Sequence, residues 1–162
     1  MTSLASRGRV ISKMGIVEKI KELRDKTGVS VMLCKKALEE AAGDFEKAVE
    51  VLRRESFRVA ENKAERQARA GLVDAYIHSN KKLGVLAEIR CETDFVAKNK
   101  EFLEFSHNIA MQIAASRPEN VSSLLAESFI KKPEISVNDY LKETIQKFGE
   151  NIEIGKFFII EV

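Results

Sequence analysis

Two histidines, His78 and His107, and two cysteines, Cys34 and Cys91, are the residues of this 162-residue chain best suited to nucleophilic or metal chemistry. Neither histidine falls in a metal-ligand pattern, the cysteines form no CxxC pair, and no glycine-rich loop offers a phosphate cradle. Cys91 with a distant histidine would make a nucleophile and its base, but a cysteine at a strand end is ordinarily packed and inert. The chain therefore reads as a non-enzyme, without cofactor or metal. What remains is recognition chemistry. Thr93 or Asp94 carries the short side-chain oxygen that caps a first helical turn, and the bulky Phe95 follows at once. Met32, beside Val31 at the start of a helical pattern, either fills a core or offers an adaptable apolar contact to a partner helix.

The elements that must position these residues are legible from periodicity. Residues 72–78 and 83–91 are β-rich runs joined by the polar turn Ser79-Asn80-Lys81-Lys82, which predicts an antiparallel hairpin. Val73, Ala75 and Ile77 share one face of the first strand. In the second, Leu83, Val85, Ala87 and Ile89 alternate with Gly84, Leu86, Glu88 and Arg90, so one face is buried and the other mixed. The hairpin feeds directly into residues 91–99. Beyond them Phe102, Phe105, Ile109 and Ile113 form a helical stripe, stopped at Pro118, that should lie across the sheet. Residues 118–133 suggest a short helix over 121–129 and then a loop. Ser136 with Asp139 makes a capping box for a helix carrying Val137, Leu141, Ile145 and Phe148, ended at Gly149. Residues 152–162 predict a closing strand, with a bulge or close backbone approach at Gly155.

Upstream, Ile16, Val17, Ile20 and Leu23 share a helical face before Gly28. Ser30 can cap a second helix with Val31, Cys34, Leu38 and Ala41 on one side, and Asp44 a third striped by Phe45, Ala48, Val49 and Leu52. The expected organisation is a three-helix bundle over residues 14–55, a charged helical connector over 56–70, and a core over 71–162. The fold class is α+β, the core a three-stranded antiparallel sheet with helices on one face. Residues 1–13 hold Arg7, Arg9 and Lys13 but no acid; we expect a disordered arm or extension, with a transit sequence as the alternative.

A net charge of +2 from interspersed signs argues against nucleic acid as the main partner, and no apolar run approaches the ~20 residues of a membrane span. Two widely separated cysteines suit a reducing cytoplasm, or an organelle matrix if residues 1–13 are a transit sequence. The partner expected is protein.

Residues 91–99, Cys-Glu-Thr-Asp-Phe-Val-Ala-Lys-Asn, closely resemble a signature of the elongation factor Ts family, guanine nucleotide exchange factors of elongation factor Tu. Leu23-Arg24-Asp25-Lys26-Thr27-Gly28, running through Met32 and Cys34-Lys35-Lys36-Ala37-Leu38, resembles the family's other signature, and the two lie in the family's order. The likeness implies a factor that binds elongation factor Tu in its GDP-bound and nucleotide-free forms. It associates Thr93, Asp94, Phe95 and Val96 with dislocating the magnesium that holds GDP. It makes the head, with Val31 and Met32, the grip on the GTPase domain, and gives that head the outline of a ubiquitin-associated domain. The hairpin around His78, Leu83 and Gly84 resembles one that long members repeat in a second core unit. This chain has one such unit and looks like a short form, from which we expect a homodimer through the core sheets. The competing arrangement is a monomer whose Leu86 side is covered by residues 121–133. From other classes, a ubiquitin-associated-like adaptor leaves residues 93–99 unexplained, and an RNA-binding domain lacks exposed aromatics on a basic sheet.

Overall fold

The computed structural model describes residues 15–162, so the arm or extension expected for residues 1–13 lies outside them. The chain divides into two compact units, one ending at Val49 and the other running Glu50–Val162, and the division falls inside a helix. The first unit holds α1 (Ile16–Thr27), α2 (Val31–Glu40) and the start of α3 (Phe45–Lys63). Ser30 caps α2 by accepting from the Leu33 amide at 3.4 Å, and Lys19 Nζ donates to the Gly43 carbonyl at 2.7 Å. Leu23, Val29, Cys34, Ala37, Leu38 and Ala48 are buried. The apolar faces read from periodicity are wider than the core they serve. Ile16, Val17 and Val31, at the first turns of their helices, stay exposed, because three helices this short enclose only their middles.

In the second unit β1 (Ala70–Ile77), β2 (Leu83–Cys91) and β5 (Glu153–Glu161) form an antiparallel sheet in the order β1-β2-β5. Central β2 turns Leu83, Val85, Ala87, Ile89 and Cys91 inward, the period-two alternation its sequence shows. Against that row lies α5 (Lys100–Ser116), whose Phe102, Phe105, Ile109 and Ile113 are buried at helical spacing. Between β2 and α5 comes the single turn α4 (Asp94–Ala97). The capping box at Ser136 starts α7 (Val137–Phe148), with Ser136 Oγ accepting from the Asp139 amide and Asp139 Oδ2 from the Ser136 amide.

Residues 118–133 differ from the helix-then-loop expectation. The helix α6 stops at Ala126 (Val121–Ala126), and β3 (Ser128–Phe129) pairs with β4 (Lys132–Ser136) in a small second sheet. A strand of two residues has no periodicity to read. Tertiary contacts hold it instead: buried Gln112 donates to the Ser128 carbonyl at 3.2 Å and accepts from the Ile130 amide at 2.9 Å, and Phe129 stacks on Tyr140. This segment is thus spent against α5 and α7 and does not cover Leu86, which removes that version of a monomer. The sheet's second face is open, with Val73, Ile77, Leu86, Phe158 and Ile160 all exposed.

The pairing of β2 with β5 shifts between Ala87 and Ile89, so Gly155 and Lys156 together face Glu88. The Glu88 carboxylate accepts from the Lys156 amide at 3.0 Å, and a Cβ at Gly155 would run into that carboxylate. Glycine is what lets the bulge and the acid share the space.

Phe102 is fully buried in this core, so Phe102→Ala should cost about 3–5 kcal/mol of unfolding free energy in a urea titration.

Candidate functional site

At the end of β2 the chain leaves the sheet through Glu92 and Thr93. Thr93 is extended (φ −128°, ψ 150°) and caps α4, its Oγ1 accepting from the Val96 amide at 3.3 Å. Of the two candidate caps, then, Thr93 does the capping and Asp94 occupies the first helical position. Six residues after Thr93, Asn99 starts α5 by accepting from the Glu101 amide at 2.8 Å. One helical turn between two caps sorts its side chains sharply: Val96 and Ala97 are buried, whereas Phe95 is 87% exposed and Asp94 is exposed beside it. A large apolar ring standing in water next to two packed neighbours is unusual for a residue of this type.

Glu150 and Asn151, from the far end of the unit, fasten this turn. The left-handed Gly149 (φ 69°) ends α7, its amide bonded to the Ile145 carbonyl, and redirects the chain. Glu150 Oε2 then accepts from both the Glu92 and the Thr93 amides at 3.1 Å, and Oε1 from the Thr93 hydroxyl at 2.6 Å. Asn151, which is buried, donates its amide to Glu92 Oε1 at 2.6 Å and its Nδ2 to the Arg66 carbonyl at 2.7 Å. Arg66 in turn places its guanidinium 3.7 Å from the Glu92 carboxylate. Neither Glu150 nor Asn151 is among the candidates read from sequence. The only local signal is a polar pair after a helix-stop glycine; their separation of 57 to 59 residues from the turn hides the contact.

Cys91 closes the turn from inside, its buried thiol donating to the Thr93 carbonyl at 3.2 Å. Burial first, then the carboxylate of Glu150, pushes this thiol above its ordinary pKa. It is accordingly a protonated donor at neutral pH and not a thiolate nucleophile. No cluster of His, Cys, Asp and Glu among the described residues is suited to a metal ion.

The other candidates lie elsewhere. Val31 and Met32 are neighbours on the first unit, Met32 being 79% exposed and therefore not core. At the hairpin, His78 is exposed with Nδ1 3.0 Å from the Tyr76 hydroxyl, Gly84 is half-buried, and Leu83 faces the interior. The hairpin tip and the turn at 92–95 sit at opposite ends of β2, separated by roughly 3.3 Å for each residue of that strand. Leu83 can support the tip from within but offers no outward surface.

A family model described as Elongation factor TS matches residues 92–162. Elongation factor Ts of Carboxydothermus hydrogenoformans is 42% identical, over 88% of this chain and 87% of its own. That of Thermodesulfovibrio yellowstonii is 37% identical over 88% and 94%, and that of Thermoanaerobacter sp. strain X514 is 41% identical over 88% and 92%. These alignments run over 187 or 188 positions, more than the 162 residues available here, so each opens gaps in this chain.

Because Phe95 packs against almost nothing, Phe95→Ala should move the unfolding free energy by less than about 0.5 kcal/mol. Its buried neighbour makes the control: Val96→Ala should cost about 1–3 kcal/mol in the same denaturation experiment.

Proposed function

The chain belongs to the elongation factor Ts family and serves translation elongation, and from that membership we propose that it is the guanine nucleotide exchange factor of elongation factor Tu. The observation that supports this reading most directly is the exposed Phe95 on a turn whose other apolar side chains, Val96 and Ala97, are packed. An exchange factor must bind the nucleotide-free state better than the GDP state, since a ligand shifts an equilibrium only by its differential affinity. Phe95 supplies such a difference by entering an apolar gap that opens only when the magnesium site of elongation factor Tu is disturbed. Thr93 and Asp94 present the ring, and Val96 anchors the turn behind it. No covalent bond forms or breaks in this scheme. Burying one Phe contributes ~1.5–3 kcal/mol, a factor of roughly ten to a hundred, so further contacts share the task. By linkage, GDP weakens factor binding by the same coupling.

Those further contacts come from the head and the hairpin. We assign residues 14–55 as a ubiquitin-associated-like head, 56–70 as its charged connector and 71–162 as the exchange core. The exposed pair Val31 and Met32 gives the head an apolar grip. His78 and Gly84 at the hairpin make a secondary contact, with Leu83 beneath them. A ubiquitin-associated-like adaptor would use the head alone and leave the exposed Phe95 without a task. The open sheet face with Val73, Ile77, Leu86, Phe158 and Ile160 favours a two-fold homodimer that brings two such core units together. Working in the cytoplasm, or in an organelle matrix, keeps both cysteines as the free thiols they are here.

Release of fluorescent GDP from elongation factor Tu tests the central claim: Phe95→Ala should slow it by about ten- to a hundredfold. A wild-type rate in a stably folded Phe95→Ala chain would end this reading. Met32→Asp should raise the concentration needed for half-maximal exchange at least about tenfold while leaving the saturated rate near wild type. Light scattering at micromolar concentration should give twice 18.2 kDa, and Phe158→Asp should reduce it to one chain.

A further inference from the structure

We propose that Glu150 is the positioning residue of the exchange turn: its carboxylate fixes the backbone of Glu92 and Thr93 and so sets the direction in which Phe95 projects. This rests on the reading of Phe95 as the wedge. A wedge gains affinity only if it is held in place beforehand, because ordering a loop on contact subtracts from the binding free energy. Local structure cannot hold it. An isolated four-residue helix is not stable by itself, and Thr93 satisfies only one of its free amides.

The sheet does not hold it either. Pairing of β2 ends at Cys91 toward β1 and at Arg90 toward β5, so the Glu92 and Thr93 amides emerge beyond the last ladder bond. One carboxylate oxygen takes both, and the other takes the Thr93 hydroxyl. With its hydrogen committed to Glu150, Thr93 Oγ1 keeps a lone pair directed at the Val96 amide, so the acid also orients the cap. The neighbouring Asn151 has a different task. It is buried and ties Glu92, Arg66 and Glu153 together, which is what a structural tie looks like. Glu150 is partly exposed and touches only the turn among its hydrogen-bond partners here, so its loss loosens the turn and spares the core.

The test uses the full chain and elongation factor Tu loaded with fluorescent GDP, comparing wild type, Phe95→Ala, Glu150→Ala, Glu150→Gln and the double alanine variant. Glu150→Ala should lower the saturated rate about tenfold, with an unchanged melting midpoint and faster hydrogen exchange of the Glu92 and Thr93 amides. Glu150→Gln, whose amide oxygen still accepts from both backbone groups, should recover most of the rate. In the Phe95→Ala background the second substitution should add less than about twofold, because the two residues act as one unit. A slow Phe95→Ala with a wild-type Glu150→Ala would overturn the role of Glu150 alone, and a full additional tenfold loss in the double variant would do the same. A wild-type rate for Phe95→Ala would overturn the wedge itself, and the positioning role with it.

Discussion

The apolar layer between β2 and α5 is the constraint on which the rest of the core unit depends. Leu83, Val85, Ala87 and Ile89 face Phe102, Phe105, Ile109 and Ile113, and all eight are buried. Strand and helix can share that layer only if the chain reverses within a few residues at the end of β2. The reversal is the turn at 92–99, and both its ends are pinned by the packing on either side. Val96 and Ala97 complete the layer from within the turn. At helical spacing their inward direction sends Phe95 outward. Exposure of the ring is thus a geometric consequence of what its neighbours bury.

Polar bonds then settle what packing leaves free. The side chains of Glu150, Asn151 and Glu92 bridge the start of the turn to the end of α7 and to the segment after α3, over separations of 57 to 85 residues. Bonds between charged acceptors and backbone amides are among the stronger kind, and here they act on amides beyond the last rung of the sheet. Two carboxylates close to Cys91 also raise its pKa further, after burial, which keeps a potentially reactive thiol as a hydrogen-bond donor. Packing gives this unit its stability, and the polar bridge gives the turn a single orientation.

The second face of the sheet follows another logic. The three strands are covered on one side by α5, with Phe129 and Tyr140 extending the covered layer. On the other side Leu86, Phe158 and Ile160 are exposed. The bulge of β5 opposite Glu88 marks where this apolar row gives way to charge, since Glu88, Arg90 and Glu153 form ion pairs just beyond it. At that end the apolar part of the face therefore gives way to charge.

By itself the sequence determined the elements whose signals are local. Alternation in β2, the stripe of α5, the capping box at Ser136 and the helix stop at Gly149 each need only a few neighbouring residues, and each is where periodicity or cap chemistry puts it. The words of residues 91–99 likewise carried the family. Tertiary structure alone decided which apolar residues stand in water: Ile16, Val17 and Val31 read as core faces, yet a small helical unit cannot enclose its helix ends. It alone formed β3 and β4, too short for any period, around the amide of Gln112. And it alone brought Glu150 to Thr93, because a bond between residues 57 positions apart depends on how α7 docks and not on any pattern within either segment.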